Sequence, residues 1–243
     1  GGGASEVTLL AQDLVVKGGL TIDNYVTLDH NGNDVTIQGN LTIATNGDLL
    51  YDATKPNTTT LSGEDNAVLT LNNHFTAAAG DEQQFWNFVI DKPADKTITF
   101  VSAKTDLTGN NNNLLRINGE YFNLLSGTVN QGSHSIRMYC DTVLNYGTLG
   151  VFVSNATNDG TPNDRNDLIK FRDDNQSTTL LTVDESVFGA VRLNSGDEAI
   201  ALVSDVYMQF LQFSYGRMNL GTHNLKLDEL RVSLSNTNAD SLG

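Results

Sequence analysis

Residues 14–22 read Leu-Val-Val-Lys-Gly-Gly-Leu-Thr-Ile, and residues 35–43 read Val-Thr-Ile-Gln-Gly-Asn-Leu-Thr-Ile, the same pattern 21 positions later. Each copy holds two short strand patterns in the same order and direction, separated by a turn that contains glycine. A short repeat of strand and turn indicates units that stack, each burying an apolar face on the next. The fold class that these segments predict is all-β, a right-handed parallel β-helix. An antiparallel β-sandwich is the alternative, because Asn-Gly steps also form hairpins.

A second pair of similar segments lies further along the chain. Residues 127–138 and 216–227 share the order Gly, any residue, apolar, Asn, any residue, Gly, any residue, His, and they lie 89 positions apart. At about 22 residues per coil this shift is close to four coils, and the 243 residues correspond to about eleven coils. Four coils span about 19 Å, so His134 and His223 are too far apart to share a metal ion. We expect both to be solvent-facing turn residues.

The composition agrees with many strands and many tight turns. The chain has 28 Asn, 26 Thr and 22 Gly, and only 18% of its residues are charged. Threonine suits a pleated, half-exposed surface, while Asn and Gly tolerate left-handed turns, so we expect asparagine or threonine ladders along the axis. We expect one solenoid domain over residues 1–243, with loops near 52–65, 103–113 and 156–167. Because the run Leu225–Leu234 still reads as strand without a polar cap, we expect the chain to be part of a longer protein.

Charge and hydropathy exclude several classes of partner. The net charge is −15 with 14 basic residues, and these basic residues form no cluster along the sequence. Nucleic-acid binding relies on clustered Lys and Arg, so we expect no nucleic-acid partner. No stretch is long and apolar enough to be a transmembrane helix, so we expect no direct membrane span. The one cysteine, Cys140, is predicted to be a small buried apolar residue.

Two sequence motifs resemble a known class of protein. Residues 85–93, followed by the Thr-rich strand 96–100, resemble a unit of aromatic, Asn, apolar, Ile and Lys in large secreted surface proteins of Bacteroidota. Residues 126–132 and 215–221 are similar to a unit of the same proteins with the order Ser, Gly, any residue, apolar, Asn, any residue, Gly. The resemblance implies a β-helical or β-sandwich array, type IX secretion, and display at the surface of a Gram-negative bacterium as an adhesin or filament. Residues 1–243 contain no recognisable match to the C-terminal sorting domain of full-length members.

One loop has the composition of a calcium site. Residues 158–167 contain three Asp and three Asn around Gly160, the densest set of oxygen ligands in the chain. Calcium takes six to eight oxygen ligands from carboxylates, amides and carbonyls. If an ion binds, the ligands are Asp159, Asn163, Asp164 and Asp167. A solvated surface loop is the alternative, and calcium is the only cofactor that the sequence suggests.

Aromatic residues are the candidates for stacking on a sugar. In residues 85–90 strict alternation puts Trp86, Phe88 and Ile90 on one face and Phe85 on the other, so one set faces the core. If Phe85 faces outward, it can stack on a glycan. Tyr207 and Tyr215 belong to a second aromatic-rich run and are predicted for the same role. Packing in the core or beneath a neighbouring loop is the alternative for all of them.

The sequence favours a non-enzymatic function. Residues 170–174 read Lys-Phe-Arg-Asp-Asp, which can form either surface ion pairs or a small catalytic groove, but no Ser-His-Asp order, zinc motif or phosphate loop occurs. We therefore expect a structural and adhesive segment of an extracellular bacterial surface protein, a rigid acidic rod that displays loops to glycans or other surfaces. The alternatives are a polysaccharide lyase or hydrolase on the same scaffold, and a component of a phage or secretion-machine assembly.

Overall fold

The strands of this chain lie in parallel, one coil above the next. The computed structural model describes residues 6–72, 83–103, 113–151, 167–171, 178–182 and 186–232. Every strand pairing within these residues is parallel, as in the pairs of Leu14 with Val35 and of Leu20 with Leu41. The 21-residue repeat therefore stacks in register. The prediction of a parallel β-helix is confirmed, and the antiparallel sandwich is excluded.

The described strands are short in the first six coils and longer near the end. In chain order the first twelve are β1 (Glu6–Leu9), β2 (Leu14–Val16), β3 (Leu20–Ile22), β4 (Val26–Asp29), β5 (Val35–Ile37), β6 (Leu41–Ile43), β7 (Asp48–Leu50), β8 (Thr58–Leu61), β9 (Ala67–Leu71), β10 (Gln83–Phe85), β11 (Asn87–Asp91) and β12 (Thr97–Val101). They are followed by β13 (Asn113–Ile117), β14 (Tyr121–Ser126), β15 (Thr128–Asn130), β16 (Ser135–Met138), β17 (Thr142–Asn145), β18 (Thr148–Leu149), β19 (Leu168–Phe171), β20 (Thr179–Thr182), β21 (Val187–Leu202), β22 (Val206–Asn219) and β23 (Leu225–Val232).

Each coil has three strands, so the solenoid has three faces. The first face contains β1, β4 and β7 and continues through β10, β13, β16 and β19. The second face runs from β2 through β5, β8, β11, β14 and β17 to β20, and the third from β3 through β6, β9, β12 and β15 to β18. Strands β21 and β22 bend around corners, so that each contributes to all three faces.

The described strands make nine full coils, and the end of β23 begins a tenth. The length of a coil is not constant. Tyr121 pairs with Thr142, 21 residues on, whereas Thr142 pairs with Thr179, 37 residues on. Insertions at the corners lengthen some coils beyond the 22 residues assumed from the sequence, which is why this count is below eleven.

Apolar side chains of successive coils stack inside the solenoid. On the second face one inward column passes from Phe88 to Phe122, Val143, Leu180 and Leu202. All five are buried, and the rings of Phe88 and Phe122 lie 6.2 Å apart between centroids. Each coil thus buries its apolar residues mainly against the coils above and below, which is the source of stability in a solenoid.

Asparagine and aspartate side chains join the coils at the corners. The backbone N–H of Thr58 donates to Oδ1 of Asp34 at 2.7 Å, 24 residues earlier, and the N–H of Thr97 donates to Oδ1 of Asn66 at 2.9 Å. These bonds continue the parallel hydrogen-bond ladder where the chain turns and no strand partner is present. The side chains that accept from the next coil are Asp13, Asn24, Asp34, Asn40, Asn66, Asn72, Asn87 and Asp205.

The predicted loops agree only partly with the structure. The loop expected at 52–65 contains strand β8, whose Thr59 is fully buried between Val35 and Phe88 in the inward column. That part of the prediction is wrong, because a run of threonines can pair as a strand when one of them fits the core. The loops predicted at 103–113 and 156–167 lie almost wholly outside the described residues.

The repeat at residues 127–138 and 216–227 is a repeated turn, not a pair of stacked coils. In the first copy the N–H of Gly132 donates to Oδ1 of Asn130 at 3.0 Å, and in the second that of Gly221 donates to Oδ1 of Asn219 at 3.0 Å. However, the first turn leads from the third face to the first, and the second from the second face to the third. The interpretation as four coils in register is therefore wrong.

Candidate functional site

Five basic side chains align in one column on the outer side of the first face. Register places them directly above one another, at a coil spacing of about 4.8 Å, with a glutamine near each end. The column contains, in order, Gln84, Arg116, Arg137, Lys170, Arg192, Gln212 and Arg231. Arg116, Arg137, Lys170, Arg192 and Arg231 are called the basic column below. The expectation that the basic residues form no cluster is wrong, because stacking joins residues that the sequence separates by 19 or more positions.

The middle of the basic column is buried although it faces away from the core. Arg137 is 4% exposed and Lys170 is 3% exposed. Beside them on the same outer surface, Leu168, Ala190 and Phe210 form a separate apolar cluster in which each residue is fully buried. The outer surface of the first face is therefore nearly closed to solvent at Arg137 and Lys170. The partly exposed members of the column are Gln84, Arg116, Arg192 and Arg231.

The accessible end of the column adjoins a corner that carries aromatic residues. Tyr51, Trp86 and Tyr139 follow β7, β10 and β16, where the first face turns into the second, and all three are half-buried. The rings of Tyr51 and Trp86 are stacked, with centroids 6.0 Å apart and planes at 19°. Asn118 occupies the same corner in the intervening coil, since its N–H donates to the Phe85 carbonyl.

Polar side chains in this corner are held by their neighbours. The guanidinium carbon of Arg116 lies 3.8 Å from the centre of the Tyr139 ring, a cation–π contact. Nδ2 of Asn118 donates to Oε1 of Gln84 at 2.8 Å. The corner strip, defined as Tyr51, Gln84, Trp86, Arg116, Asn118 and Tyr139, thus combines aromatic faces, amides and one cation.

The turn between β10 and β11 explains which aromatic residue faces outward. Alternation breaks at this corner, so that both Phe85 and Phe88 point inward, with centroids 4.6 Å apart. Phe85 is only 2% exposed, so the prediction that it stacks on a glycan is wrong. Oδ1 of Asn87 fixes the corner by accepting from the N–H of Glu120 at 2.8 Å. The outward ring is that of Trp86.

The other two predicted stacking residues lie elsewhere. Tyr207 is half-buried on the third face, where its Oη donates to Oδ2 of Asp228 at 2.5 Å and its ring lies 4.4 Å from Nζ of Lys226. The hydrogen bond to Asp228 raises the pKa of Tyr207. One ring face is therefore covered by Lys226. The side chain of Tyr215 lies outside the described residues.

The proposed calcium ligands cannot be assembled from the described part of the chain. Asp159, Asn163 and Asp164 lie outside it, and Asp167 is fully buried, with its carbonyl accepting from Nε2 of Gln131 at 2.8 Å. Among the described residues no group of three or more His, Cys, Asp or Glu side chains is arranged to hold a metal ion. Calcium binding stays a prediction.

The remaining titratable residues have structural environments. Cys140 is buried, and desolvation raises the pKa of its thiol to about 12, so the thiolate is not available near neutral pH. His134 is 7% exposed, so the expectation that it faces solvent is wrong, whereas His223 is half-buried near Asp205. Lys92 is 1% exposed and donates to the carbonyl of Ser62, and burial lowers the pKa of its ammonium group.

Comparisons with known proteins identify no relative. No protein-family model matches the chain, and no match was found among curated proteins or solved structures. Within the described residues no helix is long and apolar enough to cross a membrane. The resemblance to Bacteroidota surface proteins therefore stays a prediction from the motifs quoted above.

Sequence reasoning missed the corner strip and the basic column because both exist only across coils. Trp86 and Asn118 are 32 positions apart in the chain, and Asn118 and Tyr139 are 21 positions apart. One sequence pattern accompanies the corner strip. Near the end of a strand, a basic or amide residue is followed two positions later by an aromatic or amide residue, as in Gln84 with Trp86 and Arg137 with Tyr139. This pattern is too short to be recognised without the register.

Proposed function

We propose that this chain is a rigid adhesive rod, a segment of an extracellular bacterial surface protein that binds glycans without cleaving them. The observation that carries the proposal is the corner strip, where aromatic, amide and guanidinium groups of four coils align along the axis. Aromatic faces and amides are the groups with which proteins hold a sugar, since one face of a pyranose is apolar and its edge is rich in hydroxyl groups.

The architecture supports a mechanical role. Successive coils are joined by continuous parallel ladders, by the inward apolar column and by the Asx side chains at the corners. Each described coil pairs with its neighbours on all three faces, which supports a stiff solenoid. The extracellular location and type IX secretion are supported by the resemblance of residues 85–100 and 126–132 to secreted Bacteroidota proteins.

A panel of immobilised glycans tests this function. We expect the purified chain to bind a subset of glycans reversibly, and to leave their length unchanged on long incubation. The measurement is binding on the panel, followed by assays for new reducing ends and for unsaturated products that absorb in the ultraviolet. Absence of binding to every glycan and to bacterial or host cell surfaces would contradict the adhesive function.

A second candidate function is a polysaccharide lyase, and the basic column is the observation that favours it. A lyase abstracts a proton next to a uronate carboxylate, and an Arg or Lys can neutralise that carboxylate or act as the base. Arg192, which is half-buried, lies next to the buried Lys170 in the column, on an outer sheet surface. Release of unsaturated oligosaccharides from polygalacturonate or alginate would establish the lyase and exclude the non-enzymatic rod.

A further inference from the structure

We infer that two copies of this chain pair face to face through the second face of the solenoid. The contact is centred on an outward apolar patch in the fifth to eighth coils, called the second-face patch below. Its members are Leu125, Leu144, Tyr146, Leu181 and Val203. This inference is independent of the proposed function, because it concerns how the rods associate and not which glycan they bind.

Three members of the second-face patch form one column along the axis. Leu144 pairs with Leu181 in the next coil, and the N–H of Val203 donates to the carbonyl of Leu180 at 3.0 Å, which places Val203 beside Leu181. All three alternate with buried residues, so they point outward. Val203 is 45% exposed, and the two leucines are half-buried. The column is therefore apolar and open to contact from outside.

The other two members widen the patch at its fifth and sixth coils. Leu125 bulges out of β14 between the paired residues Leu124 and Ser126, and it is 38% exposed. Tyr146 is 37% exposed and lies in the next coil, where its N–H donates to the carbonyl of Leu124 at 2.8 Å. Contiguous exposed apolar side chains of this kind mark an interaction surface.

Charge favours a second copy as the partner. The chain carries −15 overall, so two copies repel each other wherever their carboxylates meet. Among the described residues, no outward side chain of β14, β17, β20 or residues 201–203 is charged. An identical acidic chain can therefore approach this part of the second face with little repulsion.

The repeat of the solenoid favours the same partner. Another copy presents columns with the same coil spacing, about 4.8 Å, so side chains of the two faces can interdigitate from coil to coil, as in packed sheets. Nine coils make a face about 43 Å long, and four-residue strands make it about 13 Å wide. Pairing then buries about 1,100 Å² in total, at the small end of specific interfaces, so we expect micromolar dissociation.

The test is the oligomeric state of the purified chain, measured by sedimentation velocity from about 1 to about 500 μM. We expect a dimer whose dissociation constant falls when salt is added, because ions screen the repulsion between acidic chains. Leu181→Asp should weaken the dimer at least about 10-fold, since a two-fold contact brings both new carboxylates into the apolar patch. Leu181→Lys should weaken it for the same reason. An equimolar mixture of the two variants should recover the dimer, because opposite charges then meet.

Val68→Asp is the matched control, because Val68 is also a half-buried outward residue, on the third face. It adds the same charge and should leave the dissociation constant unchanged, and circular dichroism checks that each variant is folded. Val203→Asp, at a more exposed position of the column, repeats the test if Leu181→Asp does not fold.

Three results would overturn the inference: a monomer at every concentration, equal effects of Val68→Asp and Leu181→Asp, or no recovery in the mixture. If the chain stays monomeric and Leu181→Asp lowers binding on the glycan panel, the patch binds glycan instead of a second copy, and the adhesive function stands. If the native chain dimerises as expected and no glycan binds, the inference stands and the proposed function fails.

Discussion

His30 is a histidine that folding removes from water at the turn between β4 and β5. It is 3% exposed, and its Nδ1 donates to the carbonyl of Asn33 at 3.2 Å. Burial lowers the pKa of His30, and this effect outweighs the Asn33 hydrogen bond and the charges of Asp29 and Asp34, which raise the pKa. The folded protein therefore takes up this proton at lower pH than the unfolded chain does.

The sign of the pH effect follows from this difference. Above about pH 7 the imidazole is neutral in both states and contributes no pH dependence. As the pH falls through about 6.5, the unfolded state is protonated first, so the free energy of unfolding decreases until the pH passes below the folded pKa. In His30→Asn the amide can still donate to Asn33 but does not titrate. We expect chemical denaturation of the native chain between pH 7.5 and 5 to show a steeper loss of stability than the variant; parallel curves would contradict the argument.

At the scale of a coil, the corners tolerate very little side-chain volume. Gly63 has φ +92°, and a Cβ at this position would lie 2.2 Å from the carbonyl oxygen of Gln38 in the coil below. Gly63→Ala therefore combines an unfavourable left-handed conformation with a backbone clash. We expect a loss of more than about 2 kcal/mol in the free energy of unfolding, measured by denaturant titration.

Gly32 is the control for this substitution. It also has a positive φ, +80°, but a Cβ there would meet nothing closer than 4.0 Å. Gly32→Ala should cost only the conformational term, about 1 kcal/mol. If both variants lost the same amount, the close approach of the coils at Gly63 would contribute nothing to stability.

The same corners explain which structural features could be predicted from sequence. The stacking of residues 14–22 under residues 35–43 was predictable because no insertion interrupts these coils. The apolar positions that repeat in the sequence are therefore the positions that pair between the strands. The orientation of Phe85 was not predictable. The corner at residues 86–87 shifts the alternation of inward and outward side chains, and nothing in the sequence pattern marks this corner.

The candidate site depends on register even more strongly than the core does. Arg116 and Arg137 are 21 residues apart, but Arg137 and Lys170 are 33 apart, so no constant period identifies the column. Only the pairing of β16 with β19 shows that these cations are neighbours. The sequence could thus predict a solenoid in general terms, and it could not predict which face carries the aligned cations and aromatic rings.

At the scale of the whole molecule, stability is a chain of contacts between adjacent coils, so damage should remain local. Phe122 is fully buried in the fifth coil, between Phe88 below and Val143 above. Phe122→Ala removes apolar contacts with both neighbours and should cost about 3–5 kcal/mol. In a solenoid, this loss of stability should be confined mainly to the coils in contact with the substituted coil.

Hydrogen exchange followed by mass spectrometry distinguishes local from global loss. In Phe122→Ala we expect faster amide exchange in β11, β14 and β17, and nearly native exchange in β5 and β22. Asn123→Ala, on the outward side of the same strand, is the control and should leave the pattern unchanged. Uniform acceleration along the whole chain would mean that the coils unfold as one unit, and that the rod transmits stability over its full length instead of between neighbours.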